Sequence, residues 1–391
     1  MLPSSAGFTL EERMIDESIF NEGYLPFLLA LLRVPGFGSR TIMQLCEYAG
    51  SPELVFKLPP AELESLGVDK NAIEFIASPH WYRVDEDIEW QANNNSHHIL
   101  TPVCENYPRL LREVVDFPPV IYARGQVTCL DSLQLGVVGT RKPTADGRRL
   151  ARSFCRQLAE QGIAITSGLA IGIDTVAHQG ALEAGGVTLA VMGHGLSEVY
   201  PRRNRKLAEQ ICDSGVLVSE FPLEYRPQPH NFPRRNRIIS GMSRGVLVVE
   251  AARKSGSLIT AQCAVDQGRE VFAIPGAIYN PMARGCHSLI REGAKLVEQV
   301  VDIVEEIGLV SPVPEAGEIE STGRQPLIKG LDAEAKLLLD NIGNLPAHID
   351  YLVETTGLPT DAVAVNLTKL ELQGLIECMP GANYIRKPFE T

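Results

Sequence analysis

The central part of the chain alternates between short apolar runs and longer amphipathic stretches. From Ile99 onward the apolar runs hold four to seven residues, which is the length of a buried strand. Strands are predicted at Val120–Ala123, Leu135–Val138, Ile163–Thr166, Thr188–Met192, Val216–Ser219, Val246–Glu250 and Val271–Ile274. Helices are predicted between several of them, at Ala145–Gln161, Asp174–Ala184, Arg202–Ser214, Arg237–Met242, Leu258–Gln267 and His287–Glu292. This alternation indicates an α/β fold with a doubly wound, mostly parallel sheet, which binds ligands beyond the carboxyl ends of its strands.

The residues before this region follow a helical period instead. Apolar positions recur at helical spacing on both sides of the turn Val34–Gly38, in a pattern that resembles a helix-hairpin-helix unit. The glycines of such a hairpin can present backbone N–H groups to a phosphate, but a tight turn between two helices needs the same glycines. Residues 1–95 are therefore predicted to form a helical domain, whose hairpin is either a structural turn or a phosphate contact.

A second helical region follows the sheet region, which is assigned to residues 96–308. Residues 309–330 are rich in Pro, Gly, Ser and Glu without periodicity and are predicted to be a linker. Residues 331–391 predict a winged helix, with helices at Ala333–Asn341, Ile349–Thr356 and Thr360–Leu372 and a hairpin at Gly374–Arg386. This module carries nine acidic residues against four basic ones, and the third helix offers only Lys369 to a phosphate. The charge of this module is therefore at least as consistent with binding to a protein as with reading the sequence of duplex DNA.

The composition is typical of a globular protein, with 45% hydrophobic and 21% charged residues. The formal net charge of -12 excludes a protein that is basic all over, so any contact with nucleic acid must be a confined groove. No apolar run approaches about 18 residues and the amino terminus lacks a signal pattern, so a cytoplasmic protein without a membrane segment is expected. The eight cysteines include no C-x-x-C pair, which predicts neither a zinc knuckle nor a disulfide framework.

The densest concentration of cations lies in residues 226–254. Seven basic residues occur there against one acid, Glu250, and they are Arg226, Arg234, Arg235, Arg237, Arg244, Arg253 and Lys254. A local reversal of sign at the carboxyl end of a predicted strand points to a polyanionic ligand. We interpret that ligand as nucleic acid.

Three glycine-containing turns lie at predicted strand ends or helix starts. They are Gly139-Thr140-Arg141-Lys142, with a helix beginning near Pro143, then Ser167-Gly168, and then Ser255-Gly256-Ser257. Such turns can present backbone N–H groups, a hydroxyl or an arginine fork to a phosphate. None of them matches G-x-G-x-x-G or G-x-x-x-x-G-K-[ST], so no dinucleotide or triphosphate cofactor is predicted.

Several residues with catalytic potential have simpler interpretations. Asp174 is interpreted as a helix N-cap, His178 as an interior histidine and Glu250 as a partner of Arg253 or a neighbouring cation. Residues 241–245 match G-x-S-x-G, but a predicted helix precedes and a strand follows, which reverses the order of a serine-hydrolase elbow. No H-E-x-x-H motif or spaced His/Cys quartet occurs, so no metal site is predicted.

With these segments in place, the chain resembles the DNA-processing protein A (DprA/Smf) family. The matching stretches are GVVGTRKPT at 136–144, ITSGLAIGIDTVAHQGAL at 165–182, YPRRNRKL at 200–207, the basic segment at 219–276 and RGCHSLIREGAKLV at 284–297. The resemblance implies a Rossmann-like domain without a cofactor, flanked by a helical domain of the SAM or helix-hairpin-helix type and a winged helix. It also implies a homodimer that binds single-stranded DNA and delivers it to the recombinase RecA during natural transformation.

Carried over by position, the resemblance implies a strand-binding pocket and no catalytic residue. Its members would be Gly139, Thr140, Arg141, Ser167, Gly168, Ala170, Phe232, Arg234, Arg235, Asn236, Arg237, Lys254, Ser255, Gly256 and Ser257. The physical chemistry agrees, because cations can follow phosphates and Phe232 can stack on a base, which contributes about 1–3 kcal/mol per base. The dimer contact is expected in residues 284–305.

Two other functions are considered beside this one. Nucleoside-monophosphate phosphoribohydrolases share the Rossmann-like core, but their Pro-Gly-Gly-x-Gly-Thr segment with a following glutamate is absent, since Pro275–Tyr279 reads PGAIY. An enzyme of that class would depend on Glu250. A regulator that reads duplex DNA through residues 331–391 is the third possibility.

Overall fold

A computed structural model describes residues 17–308, 332–342, 347–379 and 381–386. The chain divides into two compact units, Met1–Pro312 and Val313–Thr391. The predicted linker, 309–330, lies outside the described residues. Within the described ranges, no helix combines the length and the apolar character needed to cross a bilayer.

A nine-stranded sheet forms the centre of the first unit. Its strands in chain order are β1 His97–Leu100, β2 Ile121–Gly125, β3 Gln134–Val138, β4 Ala164–Ser167, β5 Thr188–Val191, β6 Val216–Ser219, β7 Gly245–Val248, β8 Glu270–Ala273 and β9 Lys295–Leu296. Across the sheet the order is β1-β2-β6-β5-β4-β3-β7-β8-β9. All neighbours from β6 to β9 in that order are parallel, whereas β2 is antiparallel to both β1 and β6. The predicted α/β class with a mostly parallel sheet is confirmed.

Helices surround the sheet and share its hydrophobic core. They are α1 Leu25–Leu31, α2 Ser39–Ala49, α3 Pro52–Val55, α4 Pro60–Ser65, α5 Lys70–Ala77, α6 Trp81–Ala92, α7 Arg109–Arg112, α8 Ala145–Glu160, α9 Ile173–Glu183, α10 Arg205–Ser214, α11 Asn231–Met242, α12 Ser257–Asp266, α13 Arg284–Arg291 and α14 Val300–Glu306. Short 3-10 segments lie at Glu17–Phe20, Glu22–Tyr24, Val127–Asp131, Arg202–Asn204 and Pro281–Ala283. Successive residues of β7 point to opposite faces, so Leu247 packs with Phe154 of α8 while Val248 packs with Ile238 of α11.

The winding of the sheet reverses at β3. From β3 the chain proceeds through β4, β5 and β6 towards one edge, and it then returns to β7 on the other side of β3. β3 and β7 are parallel neighbours, with Gly136 opposite Val246. Crossovers that leave in opposite directions open a crevice beyond the carboxyl ends of these two strands, which is where an open α/β sheet binds its ligand.

The amino-terminal helices pack against the antiparallel edge of the sheet. Leu28 and Ile42 from these helices belong to the same core cluster as Tyr122 of β2. Beside this core, the buried Arg33 guanidinium lies 2.8 Å from the carboxylate of Asp87, which also accepts a hydrogen bond from the Tyr122 hydroxyl at 2.6 Å. Burial raises the pKa of Asp87, and the positive charge of Arg33 opposes that shift. The ion pair joins the end of α1 to α6, and the Tyr122 hydroxyl joins α6 to β2, so these buried polar contacts link the amino-terminal helices to one another and to the sheet.

The second unit contains three helices and a small sheet. Helices α15 Ala333–Asn341, α16 Ile349–Thr356 and α17 Thr360–Leu372 coincide with the predicted bounds, and the strands are β10 Ala347–His348, β11 Ile376–Met379 and β12 Asn383–Arg386. The strands pair in the order β10-β12-β11, around a core that includes Leu338 and Leu367. Lys369 of α17 forms an ion pair with Asp332 at 3.2 Å. Pro380, central in the predicted hairpin, lies outside the described residues.

Several elements differ from the predicted pattern. α6, β1 and β9 were not predicted, because α6 is rich in acids, β1 begins with two histidines and β9 has only two residues. α11 begins at Asn231, six residues before the predicted start at Arg237. Its first turn is polar and contains Pro233, which is compatible with an amino-terminal turn but hides the helical period.

Candidate nucleic-acid interface

A cavity of about 510 Å³ opens beyond the ends of β3 and β7, and we call it the switch-point cavity. Its walls are the turn after β3 and the amino-terminal turns of α11 and α12. Ten of the fifteen binding residues predicted from the sequence line it, namely Gly139, Thr140, Arg141, Ala170, Phe232, Arg235, Asn236, Ser255, Gly256 and Ser257. The fold thus brings segments that are far apart in the chain to one crevice, as the topology requires.

The turn after β3 is fixed by backbone contacts on both sides. The Thr140 N–H donates to the Glu250 carbonyl oxygen at 2.7 Å, and the Thr140 carbonyl oxygen accepts from the Ile173 N–H at 3.2 Å. A β-carbon at Gly139 would lie 2.6 Å from the Ile173 side chain. Gly172 has a φ of 92° and passes so close to the Thr140 carbonyl that no side chain fits there. These two glycines let the turn settle against α9, and the arginine that follows reaches the cavity.

Arg141 and two aromatic residues form one wall of the switch-point cavity. The exposed Arg141 guanidinium lies 5.7 Å from the centre of the Phe232 ring and forms no ion pair with any described residue. The Tyr200 ring lies 6.1 Å from the Phe232 ring and is 49% exposed. A β-carbon at Gly193 would lie 2.9 Å from the Phe232 ring, so this glycine leaves the space that the ring occupies. Aromatic faces beside an unpaired cation suit an unstacked nucleobase and its phosphate.

Tyr200 is a candidate binding residue that sequence reasoning missed. It opens the stretch YPRRNRKL at 200–207, which was noted only as part of the family resemblance. An aromatic residue directly ahead of a cluster of arginines was the available signal, because that combination is typical of sites for single-stranded nucleic acid. The spacing of 32 residues between Tyr200 and Phe232 gave no indication that the rings meet.

Arg235 forms the floor of the switch-point cavity and is only 4% exposed. Its guanidinium donates to the Val191 carbonyl oxygen and lies against Gly168, where any β-carbon would overlap it. Its Nε has no hydrogen-bond partner among the described residues. Burial lowers the pKa of Arg235 to about 10, while Asp174 opposes the shift and Arg141 adds to it. The floor therefore carries buried positive charge without a paired carboxylate, and an anionic ligand would stabilise it.

Asp174 lines the same cavity but is not the N-cap that was predicted. The N-cap of α9 is Gly172, and the Asp174 carboxylate accepts a hydrogen bond from the Ala170 N–H at 3.3 Å. The prediction was wrong because the chain enters α9 through a glycine with positive φ, which places Asp174 inside the first turn. Burial raises the pKa of Asp174, and Arg235 opposes that shift.

The start of α12 forms the opposite wall. The hydroxyl groups of Ser255 and Ser257 lie 2.6 Å apart, and the Asn236 amide donates to the Gly256 carbonyl oxygen at 3.3 Å. A β-carbon at Gly256 would meet nothing within 4 Å, so a ligand can approach this backbone. Lys254 is exposed next to this wall and forms no ion pair with any described residue. A helix amino terminus and an unpaired ammonium group both favour a phosphate.

Three of the predicted residues lie next to the cavity without lining it. Ser167 is fully buried, and its hydroxyl donates to the Val137 carbonyl oxygen at 2.6 Å, so it joins β4 to β3. Gly168 lies under the guanidinium of Arg235. Lys254 lies outside the lining residues, at the rim.

The remaining two predicted residues, Arg234 and Arg237, line a neighbouring cavity instead. Both contact the carboxylate of Glu220, which follows β6. Arg244, another cation of the 226–254 segment, lies at the amino end of β7, where its N–H donates to the Gln134 carbonyl oxygen. The cations of this segment are therefore divided among several places, and the expectation that they share one rim of the sheet is wrong for Arg244.

Glu250 holds the start of α8 and does not pair with a cation as predicted. Its carboxylate accepts two hydrogen bonds from Thr144, from the N–H at 3.0 Å and from the hydroxyl at 2.6 Å. Thr144 is the N-cap of α8, which begins at Ala145 as predicted. The expectation for Glu250 failed because a carboxylate at a strand end is also favourably placed beside the positive end of a neighbouring helix.

Two interpretations of apparent catalytic residues are confirmed. His178 is buried and hydrogen-bonded through Nδ1 to the Thr188 hydroxyl at 2.7 Å, and burial lowers its pKa to about 3, so it is a neutral interior residue. Ser243 lies between α11 and β7, and its buried hydroxyl donates to the Ile239 carbonyl oxygen at 2.7 Å. The eight cysteines are free thiols. Within the described ranges, no group of three or more His, Cys, Asp or Glu side chains is placed to hold a metal ion.

Comparison with known families covers both units of the chain. The family described as DNA recombination-mediator protein A matches residues 98–308, which include every strand of the large sheet except the first residue of β1. The family described as the DprA winged helix domain matches residues 323–382.

Individual relatives extend the match over most of the chain. It is 43% identical over 319 residues to protein Smf of Escherichia coli strain K12, a match that covers 81% of this chain and 84% of that protein. It is 34% identical over 393 residues to protein Smf of Synechocystis sp., covering 92% and 98%. The X-ray structure of DNA processing protein A (DprA) from Streptococcus pneumoniae superposes with a TM-score of 0.62 and 34% identity, covering 72% of this chain and 97% of that one. On the combined strength of these matches, the chain belongs to the DNA recombination-mediator protein A family, which is also known as DprA/Smf.

Proposed function

We propose that this protein binds single-stranded DNA in the switch-point cavity. The observation that carries the proposal is the presence of two cations without paired carboxylates, Arg141 and Arg235, beside the aromatic faces of Phe232 and Tyr200. A flexible single strand can place a base against an aromatic ring and its phosphate against an arginine at the same time. In a duplex the bases are paired and stacked, so their faces are not available to such a wall. Membership of the DNA recombination-mediator protein A family supports the same ligand.

The overall charge of the protein limits how it binds. At a net charge of -12, the molecule as a whole repels DNA, and attraction depends on the local field of the cavity. We expect a small number of phosphates to be neutralised, in contrast to proteins that are basic over a whole face. For a single strand, the logarithm of affinity falls with the logarithm of salt concentration by about 0.7 per neutralised phosphate.

A binding protein also fits the position of Glu250 better than a nucleotide-processing enzyme does. A general base must lie within hydrogen-bond reach of the substrate. The carboxylate of Glu250 is held by two hydrogen bonds from Thr144 at the start of α8, and Glu250 is not among the residues that line the cavity. A phosphoribohydrolase that depends on this glutamate is therefore not favoured.

Within the same proposal, the protein acts in the cytoplasm as a homodimer that delivers the bound strand to RecA during natural transformation. Residues 284–305 are the proposed dimer contact. Two observations support this region: β9 is the edge strand of the large sheet, and both Leu296 and Val301 are 43% exposed. An open sheet edge with apolar side chains is the kind of surface that a second copy can cover.

A competition experiment tests the proposed ligand. Single- and double-stranded oligonucleotides of equal sequence are titrated against the full chain across a salt series, with Arg141→Ala and Arg156→Ala as variants. We expect single strands to win, and Arg141→Ala to lower affinity about fivefold and to reduce the salt slope by about 0.7, because one phosphate contact is lost. Arg156→Ala removes an equal charge from an exposed residue of α8, outside both the cavity and residues 284–305, and should bind like the parent. Equal binding of both strand types, or an unchanged Arg141→Ala variant, would refute the proposal.

A further inference from the structure

A second cavity of about 800 Å³ lies on the other side of the first turn of α11, and we call it the hairpin cavity. One wall is the turn between α1 and α2, from Gly36 to Arg40, and the other is the segment that leads into α11. The hairpin therefore faces the basic helix of the proposed DNA site. The sequence of the hairpin is consistent with either a structural turn or a phosphate contact. Its position beside α11 bears on the choice between the two.

The two cavities share a wall one helical turn thick. Pro229, Phe232 and Pro233 line the switch-point cavity, whereas His230 and Asn231 line the hairpin cavity. Neighbouring residues of one turn thus face different cavities, so the first turn of α11 separates the two cavities. A strand that leaves the first cavity meets the mouth of the second.

The charges of the hairpin cavity leave a positive excess at its mouth. Buried Arg237 pairs with Glu220 and also with Asp116, whose carboxylate lies 3.4 Å from its Nε. Arg234 has only a share of Glu220, at 3.1 Å, and stacks on an aromatic ring with its guanidinium partly exposed. Arg40 is exposed and forms no ion pair with any described residue. Three cations thus lie beside two acids, and the cations that are least neutralised, Arg40 and Arg234, are those nearest solvent.

The backbone at the hairpin adds donors to this positive mouth. α2 has 11 residues and begins after Gly38, which provides no side-chain hydrogen bond to cap the helix. Its first N–H groups are therefore available to an anion. Gly36 has a φ of 79°, so the turn that aims α2 at the cavity depends on glycine.

An unsatisfied acceptor in the wall gives an independent indication of a ligand. Glu220 is 2% exposed, lines the hairpin cavity and has an Oε1 atom without any hydrogen-bond partner among the described residues. A buried acceptor without a donor is unfavourable, and a donor supplied by a ligand removes that cost. Nucleobases with an exocyclic amino group carry such a donor, whereas thymine presents a carbonyl oxygen at the equivalent position.

From these contacts we infer that single-stranded DNA continues from the switch-point cavity over the first turn of α11 into the hairpin cavity. The phosphate of the flanking nucleotide contacts Arg40 and the start of α2, and its base extends towards Glu220. The inference rests on the proposed function, since it lengthens the same site. It assigns the amino-terminal helices a direct part in binding the strand.

A length series tests this path. Oligo-dC and oligo-dT of about 6 and about 20 nucleotides are titrated against the parent, Arg40→Gln and the control Arg156→Gln, which alters an exposed arginine outside both cavities and outside residues 284–305. We expect Arg40→Gln to lower affinity for the long oligonucleotides about two- to fivefold and to leave the short ones unchanged. In the parent, lengthening should improve binding more for oligo-dC than for oligo-dT.

The outcomes separate this inference from the proposed function. If the parent binds neither the short nor the long single strands, the proposed function fails. If the parent binds short strands but Arg40→Gln matches the parent at both lengths, the hairpin cavity is not part of the path. An equal gain for oligo-dC and oligo-dT would overturn the assignment of the base to Glu220.

Discussion

At the scale of single residues, Gly168 and Arg235 depend on each other. The guanidinium of Arg235 occupies the space that a side chain at Gly168 would fill, and it is buried at the floor of the switch-point cavity. A buried cation is costly unless its N–H groups are used, and Arg235 donates to the Val191 carbonyl oxygen. The absence of a side chain at Gly168, directly after β4, therefore determines where the Arg235 guanidinium lies.

Gly168→Ala should displace the Arg235 guanidinium and weaken binding of single-stranded DNA. We expect affinity to fall about fivefold or more and stability to fall by about 1–3 kcal/mol, because a methyl group is forced into a filled space. Fluorescence anisotropy with a labelled oligonucleotide measures the first effect and thermal unfolding the second. Gly23→Ala is the control, since its new methyl group would come no closer than 3.9 Å to a neighbouring side chain and lies outside the cavity. Parent-like affinity in Gly168→Ala would show that Arg235 does not contribute.

Some residues of the site can be predicted from the sequence and others cannot, depending on what places each of them in the site. Thr140 and Arg141 directly follow a strand, so position alone predicts that they reach the sheet edge. The partners of Arg234 and Arg237 could not be predicted, because Glu220 follows a different strand and a count of charges within 226–254 does not include it. Contacts between distant segments, such as Tyr200 with Phe232, likewise depend on the folded topology.

At the scale of secondary-structure elements, those with a regular apolar period and sufficient length could be predicted from the sequence. The strand Val216–Ser219 and the three helices of the winged unit have the predicted bounds, because their apolar residues follow a clear period between turn residues. α6 has an acidic surface and β9 is held by pairing with β8, so neither has a strong local signal. The contact of Glu250 with α8 joins two elements and was also not evident from either one.

Glu250→Gln should destabilise the start of α8. The amide keeps the shape but loses the negative charge beside the helix amino terminus, and its NH₂ group cannot accept from Thr144. We expect a loss of about 1–3 kcal/mol in the free energy of unfolding, measured by chemical denaturation. Glu160→Gln, at the exposed carboxyl end of the same helix, should change it by less than about 0.5 kcal/mol. Equal effects of the two substitutions would contradict the capping role.

At the scale of the whole molecule, the distribution of charge separates the two units. Residues 331–391 carry nine acidic residues against four basic ones. The cation of α17, Lys369, is paired with Asp332, so this helix offers a phosphate no unpaired cation among its described residues. The unpaired cations Arg141 and Lys254 lie in the first unit instead. This contrast favours a contact with protein for the winged unit, and it leaves DNA to the cavities of the first unit.

Removal of residues 313–391 should therefore leave the affinity for single-stranded DNA within about twofold of the parent. The first unit, Met1–Pro312, is compact and has its own hydrophobic core, and an acidic module contributes no favourable field to a polyanion. Binding of the truncated and full-length chains to one labelled oligonucleotide is compared at two salt concentrations. Thermal unfolding of the truncated chain provides the control that its remaining unit is folded. A folded truncated chain with a large loss of affinity would mean that the winged unit touches the strand, and a regulator that reads DNA through α17 would then regain support.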